Sequence, residues 1–204
     1  MPPRSFDELL DAARAQQPAA LAELWRRYSP LVAAYARARG SNEVDELVSE
    51  VFLALFGALG SFRGDEAGLR GMVFTIARRR LVDEHRRWSR RVDTEPLPDH
   101  FDHAVVPSAE EEVLAEHGAA LARAWLDDLS PQQRDVLMLR IFGDLTTEQV
   151  AAVVGKRVGA VKALQRRGLE ALRRKLADSD EQPRRGEAVL PALDAIAPAA
   201  EGTA

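Results

Sequence analysis

"TTEQVAAVVGKRVGAVKALQRRGLEALRR" (Thr146–Arg174) carries two helical patterns that meet at a glycine. Thr146 is followed three residues on by Gln149, the spacing of a capping box, in which each side chain takes the other residue's orphan backbone amide. Leu145 and Val150 flank that cap at the spacing of a hydrophobic staple. Gly155 then offers a left-handed exit. The spacing predicts a new helix from about Val158. Projected at about 100° per residue, Val161, Leu164, Gly168, Leu172 and Leu176 share one face. Lys162, Arg166, Arg167, Arg173 and Arg174 fall on the opposite side, interrupted by one acid, Glu170. A helix-turn-helix needs this division. The apolar face packs on partner helices and the other enters a major groove, where Lys and Arg bind phosphates and guanine edges.

Working outward, Ser130-Pro131 with Gln133 opens a preceding helix that ends near Phe142-Gly143. A further helix is expected upstream, from a Ser108/Glu111 capping box through Val113, Leu114, Leu121 and Trp125. "VDTEPLPDHFDHAVVP" has three prolines, four acids and no period, so it reads as a linker. Before it, Ser5 and Glu8 can cap a short helix carrying Leu9, Leu10 and Ala13. A second helix carries Leu21, Leu24, Trp25, Tyr28, Leu31, Val32 and Tyr35, with Pro30 a possible bend. A third, with Asn42 as its expected cap, has the stripe Val44, Leu47, Val48, Val51, Phe52, Leu55, Phe56 and Leu59. "GSFRGDEAGLRG" is expected as a glycine-punctuated loop, and a fourth helix is expected from about Leu69 to Trp88. No stretch alternates as a strand would. The fold expected is all-α: a helical domain (5–91), a flexible linker (92–107), a helix-turn-helix domain (108–176) and a disordered tail (177–204) rich in Ala, Pro and Glu.

The totals narrow the function classes. The 204 residues carry a formal net charge of -4, yet Lys and Arg crowd into "RRRLVDEHRRWSRR" and into the helix after Gly155. Two separated cationic patches on an acidic chain point to two contacts with a polyanion. With no cysteine, a disulfide scaffold, a thiolate metal site and a cysteine nucleophile are excluded. No apolar run reaches the roughly 20 residues that cross a bilayer, and no signal peptide is recognisable, so a cytoplasmic location without membrane insertion is expected. The two His of "DHFDH" (Asp99–His103) have zinc-ligand spacing but sit alone in the linker, which favours a solvated segment. No catalytic motif is present, so neither an enzyme nor a cofactor nor a metal is expected.

The first patch differs from the second in having aromatic rings among its cations. Arg78, Arg79, Arg80, Arg86, Arg87, Arg90 and Arg91 accompany Phe62, Phe74 and Trp88. Rings on which bases stack, with arginines holding the backbone, suit melted or single-stranded DNA. Phe74 reads more simply as core and Trp88 as cover for the domain edge, which leaves Phe62, in its loop, as the best candidate for a base contact.

The ordered set of motifs resembles bacterial sigma factors of the sigma-70 family, extracytoplasmic-function (ECF) group. "DELVSEVFLALF" is similar to their region 2.2, "FRGDEAGLRGMVFTIARRRLVDEHRR" to regions 2.3 and 2.4, and "LSPQQRDVLMLRIFGDLTTEQVAAVVGKRVGAVKALQRRGLEALRR" to region 4. The resemblance implies a non-enzymatic protein that gives core RNA polymerase its promoter specificity. Asp45, Glu46, Glu50 and Phe52 would then contribute the surface that docks on the β′ clamp helices. Phe62 would sit near a flipped −10 base, with Arg78, Arg79, Arg86 and Arg87 on the same element. Arg157, Lys162, Ala163, Arg166 and Arg167 would meet the −35 major groove, and region 4 would also meet the β-flap. An anti-sigma factor is a further implied partner. The sequence departs from the family pattern at Met72, where Trp is frequent, at Arg79, where Asn is frequent, and in a loop one residue longer. Arg157 also replaces the usual small polar cap, worth about 1 kcal/mol.

Two other classes fit parts of the pattern. A stand-alone helix-turn-helix regulator would use its N-terminal domain for sensing or dimerisation, whereas here an acidic helix precedes an arginine-rich one. A protein-binding adaptor would not need cationic faces in both domains.

Overall fold

The computed structural model describes residues 5–92 and 129–178, with side chains described to Ser89 and Lys175 respectively. Residues 93–107 of the expected linker, the Asp99–His103 pair, the Ser108 helix and all but the first residues of the tail lie outside the described residues, as do the side chains of Arg90, Arg91 and Leu176; Val92, expected to open the linker, is the last helical residue described before it. Among the described residues there are seven helices and no strand.

Four helices make the N-terminal unit: α1 (Phe6–Arg14), α2 (Pro18–Ala38), α3 (Val44–Ala58) and α4 (Glu66–Val92). Ser5 and Glu8 form the expected capping box, and Leu9, Leu10 and Ala13 are buried. α2 runs through Pro30 and buries Leu24, Tyr28, Val32 and Tyr35, while Trp25 and Leu31 stay partly exposed. The α3 stripe is buried at Leu47, Val48, Val51, Phe52 and Leu55. Its cap differs from expectation. Glu43 holds the cap position without a side-chain bond. Asn42 instead donates its backbone N–H to Glu84 of α4, whose carboxylate also accepts from the Ser41 hydroxyl. Glu84, only 3% exposed, thereby ties the α2–α3 turn to α4.

The glycine-rich loop is also shorter than expected. α4 begins at Glu66, so Gly68 and Gly71 are helical. The signal is Asp65, whose carboxylate accepts from the Gly68 N–H at 2.8 Å in the manner of an N-cap.

The C-terminal unit holds α5 (Pro131–Ile141), α6 (Thr147–Val154) and α7 (Val158–Asp178). Capping boxes open α5 (Ser130/Gln133) and α6 (Thr146/Gln149), as the spacing predicts. Gly155 ends α6 at φ 67°, ψ 37°, the left-handed exit expected of it. Val136, Leu137, Leu139, Leu145, Val150, Val161, Leu164, Leu169 and Leu172 form the core of this unit. α7 packs against α5 so closely that a Cβ on Gly168 would lie 2.8 Å from the Leu137 Cδ1.

The two units do not stand apart. α5 packs on α2, and α6 packs on α4, so their buried side chains form one continuous apolar cluster.

Candidate nucleic-acid interface

The geometry of α5, α6 and α7 is that of a helix-turn-helix. The left-handed Gly155 lets α7 leave at an angle to α6, and the backbone amides of Ala160 and Val161 are taken by the Arg157 carbonyl. Val161, Leu164, Gly168 and Leu172 are buried, together with Gln165 and Leu169, two positions beyond the expected stripe. The opposite side exposes Lys162, Arg166, Arg167, Arg173 and Arg174, with Ala163 half-buried at its edge and Arg157 exposed at the entrance. Arg166 lies 3.9 Å from Glu170, an exposed pair in high dielectric and therefore weak. Glu148, in the first turn of α6, has its carboxyl held below the usual range by its own backbone amide and the Thr146 hydroxyl, with Lys162 and Arg140 adding to the effect. The Lys162 charge on the cationic face of α7 is thus felt at the start of α6.

The N-terminal cations are distributed less simply. Arg79, Arg86 and Arg87 are exposed along α4. Arg86 lies 3.9 Å from Asp83 in an exposed pair, and Arg80 reaches Glu50 of α3 at 3.5 Å. Arg78 points into the seam between the units, where its Nε donates to Asp135 Oδ2 at 2.7 Å. In this conformation it is not presented with the others. Phe74 is fully buried, edge-on to Tyr35 with centroids 5.6 Å apart, so it is core. Phe62 is half-buried against the core, with its ring under the backbone of Gly64 and Gly68. A Cβ on Gly64 would lie 2.9 Å from that ring. The loop carbonyl of Phe62 accepts from Arg14 of α1.

On α3 the acids and the aromatic separate. Asp45 and Glu46 are exposed, and Glu50 is half-buried beside Arg80. Phe52 is 1% exposed, held between a tilted Trp25 ring and an edge-on Phe56 ring, so it supports this face from behind instead of lining it. The apolar side chain the face presents is Leu53, 74% exposed, which sequence reasoning missed. It lies seven residues after Glu46 and so on the same side of the helix. The signal was there: Leu53 is the one large apolar residue of the segment outside the buried stripe.

The seam between the units is polar at its centre. Asp135, 5% exposed, accepts from the Tyr35 hydroxyl at 2.8 Å and from Arg78, with the Arg39 Nε 3.4 Å away. Burial first, then the Asp135 charge, pushes the Tyr35 hydroxyl pKa well above its ordinary value. A second contact joins Arg70 of α4 to Asp144 in the α5–α6 turn at 2.5 Å. Asp144 has φ 46°, a left-handed position that Asp tolerates better than most residues. Gln149 of the α6 cap donates to the Ala67 carbonyl.

Among the described residues no group of His, Asp and Glu is gathered to hold a metal ion, and no helix is long and apolar enough to cross a membrane.

Fold and surface thus define a class: an all-helical DNA-binding protein with a helix-turn-helix and a second, arginine-bearing helical unit. Comparison with known proteins makes the class specific. The Sigma-70 region 2 family matches residues 24–91, and the Sigma-70 region 4 family matches residues 125–174. The chain is 33% identical over 176 residues to the ECF RNA polymerase sigma factor BldN of Streptomyces coelicolor, covering 84% of this chain and 66% of that one. It is 32% identical over 178 residues to the ECF RNA polymerase sigma factor SigD of Mycobacterium tuberculosis, covering 81% and 83%. Among solved structures it shares the fold of CnrH, determined in complex with the cytosolic domain of CnrY, with a TM-score of 0.63 and 24% identity over 86% of this chain and 99% of that one. The chain belongs to the sigma-70 family, in its ECF group: sigma factors that bind core RNA polymerase and direct promoter-specific initiation.

Proposed function

We propose that this sigma factor docks on the β′ clamp helices of core polymerase through the outer face of α3 and reads two promoter elements with its two helical units. Asp45, Glu46, Glu50 and Leu53 form the docking face, backed by Phe52. The unit of residues 5–91 contacts the −10 element through the Phe62 loop and the α4 arginines Arg78, Arg79, Arg86 and Arg87. The unit of residues 108–176 contacts the −35 element through Arg157, Lys162, Ala163, Arg166 and Arg167 and meets the β-flap, with residues 92–107 connecting the two and residues 177–204 as a tail. The protein works in the cytoplasm and carries no catalytic site or cofactor of its own. An anti-sigma factor that covers exposed apolar side chains such as Trp25, Leu31 and Leu53 is a further partner in this reading.

The observation that carries the proposal is the division of α7. Its apolar side is buried and its cations are exposed, on a helix that follows a capped partner and a left-handed glycine. The experiment is run-off transcription with purified core polymerase and this protein on a promoter selected from genomic fragments. A discrete transcript that requires both components is the expected result. Tight binding to an operator as a dimer, independent of polymerase, would establish a stand-alone regulator instead.

A further inference from the structure

We infer that Arg14 of α1 is a positioning residue for promoter reading: it fixes the Phe62 loop on the body of the N-terminal unit and so sets how sharply that loop selects its base. The inference rests on the proposed role of Phe62 at the −10 element.

The loop between α3 and α4 runs from Leu59 to Asp65. Its ends are anchored: Leu59 is buried, and Asp65 caps α4 through the Gly68 amide. The bonds in its middle are of short range. The Phe62 amide donates to the Ala58 and Leu59 carbonyls, and Arg63 donates to the carbonyls of Gly60 and Phe62. The Arg63 bonds curl the loop but move with it, so they do not fix where its tip sits relative to the helices. Arg14 ties it to a different element. Its Nη2 donates to the Phe62 carbonyl at 2.8 Å, across 48 residues of sequence. The bond is part-buried and its donor is charged, which makes it stronger than a neutral one.

Arg14 is itself held in place. Its Nη1 donates to Asp11 Oδ1 at 2.8 Å, one turn back on α1. Asp11 is exposed, so this pair adds little energy, but it orients the guanidinium fork. α1 is seated through Leu9, Leu10 and Ala13, all buried. Just beyond it, Gln16 adopts φ 56° and its Nε2 donates to the Phe56 carbonyl in the last turn of α3 at 3.3 Å. The end of α1 therefore grips both the last turn of α3 and the loop that follows. The ring and the pinned carbonyl belong to one residue. Phe62 is held from one side by the packing of its ring under Gly64 and Gly68, and through its backbone by Arg14. A side chain that receives an unstacked base has to be placed to within about 0.5 Å. Freeing the carbonyl frees the backbone from which the ring projects. Phosphate contacts supply much of the affinity without reading sequence, so the expected loss is in base discrimination, not in binding at large. α1 precedes residues 24–91, which match the region 2 family, and this role brings it into promoter reading without touching DNA.

The test uses holoenzyme assembled from core polymerase and the full chain. The probes are single-stranded oligonucleotides carrying the non-template −10 segment of the selected promoter, and the same segment with one base replaced at a time. In the native protein, replacing the base read by the Phe62 loop should weaken binding by about tenfold or more, the size of a single-base mismatch. Phe62→Ala identifies that base as the position where the penalty disappears. Arg14→Ala should cut the penalty at the same position to about threefold or less, since a contact misplaced by about 1 Å loses most of its value. Penalties at other positions should stay as they were. Arg14→Lys keeps the charge without the fork and should fall between the two. A para-fluorophenylalanine in place of Phe62 reports the loop without DNA. Its fluorine resonance should be single and sharp with Arg14 present, and broadened or split in Arg14→Ala. Should Arg14→Ala lose helical circular dichroism, Arg14→Lys carries both measurements with the same direction of change. Equal weakening at every position would mark a merely structural role and overturn the inference. Full discrimination in Arg14→Ala, or an unchanged fluorine resonance, would overturn it too. Penalties that all survive Phe62→Ala would instead remove Phe62 from base reading, and with it the promoter half of the inference; the fluorine spectrum would then decide whether Arg14 orders the loop.

Discussion

Trp25 lies over Phe52 with ring centroids 4.6 Å apart and planes tilted by 51°. Phe52 in turn meets Phe56 edge-on at 5.5 Å, so three rings from α2 and α3 brace the back of the face that carries Glu46, Glu50 and Leu53. The two neighbouring residues, Phe52 and Leu53, are thereby assigned opposite duties. Phe52→Ala is expected to cost about 3–5 kcal/mol of stability, as emptying a buried aromatic site does, seen as a lower midpoint in denaturant unfolding. Leu53→Glu touches no core and should change stability by no more than about 0.5 kcal/mol. The same change should weaken binding to core polymerase by about tenfold or more, measured by fluorescence titration, if Leu53 is an apolar anchor of that contact.

The turns on either side of α6 rest on two glycines with different reasons for being glycine. At Gly155 nothing lies within 4 Å of an added Cβ, and the cost arises from φ 67° alone. Gly155→Ala should therefore lose about 1–2 kcal/mol, and Gly155→Asn less, since Asn enters the left-handed region more readily. At Gly143 a Cβ would stand 2.5 Å from the Leu139 carbonyl oxygen and 3.1 Å from Leu145 Cγ. No choice of rotamer relieves a clash with backbone, so Gly143→Ala and Gly143→Asn should be equally damaging, by about 1–3 kcal/mol. Thermal unfolding of the four variants separates the two mechanisms.

How much of this was legible in the sequence follows the range of the forces involved. Capping boxes at Ser5, Ser130 and Thr146 and the exit at Gly155 were readable because each is settled within four residues. The buried stripe of α3 and the split face of α7 were readable because one helix turn after another repeats them. The glycines around Gly68 misled, because a local signal of stronger consequence, the Asp65 carboxylate on the Gly68 amide, outweighed them. Asn42 reads as a cap in the sequence because the partner its backbone amide actually meets, Glu84, lies 42 residues away. Arg78 reads with its neighbours for the same reason: its partner Asp135 is 57 residues distant, and spacing within one helix does not report on a contact between units.

The chain has two tyrosines, and both have hydroxyls whose pKa is raised, in each case first by burial and then by a neighbouring carboxylate, Glu66 for Tyr28 and Asp135 for Tyr35. With the folded-state value above the unfolded one of about 10, the neutral hydroxyls contribute fully to stability below that pH. The contribution is lost as pH rises beyond it, because the unfolded chain then releases protons that the folded chain retains. Alkaline titration followed by near-ultraviolet tyrosinate absorbance should therefore show no ionisation near pH 10 in the native protein. A single steep rise should appear at higher pH, together with loss of helical circular dichroism. Tyr35→Phe should halve the amplitude. A normal titration of either residue before unfolding would show that its hydroxyl is not held in the seam or the core.

Glu170 stands in the middle of the α7 cationic face, 3.9 Å from Arg166. Because both side chains are largely exposed, their pairing adds little to stability, and Glu170→Gln should leave the unfolding midpoint nearly unchanged. Its effect on DNA should be larger and unspecific. Removing an acid from a surface that approaches phosphates strengthens binding to every duplex sequence, and the gain shrinks as salt screens it. Arg166→Ala should behave differently if Arg166 reaches a base edge. It would lose about 1–3 kcal/mol at one base pair of the −35 element and little at the others. Binding titrations of both variants on the selected promoter and on single-position mutants, at two salt concentrations, distinguish the roles. A uniform loss for Arg166→Ala across all sequences, with a lower salt slope, would make Arg166 a phosphate contact and move base reading to Lys162 and Arg167.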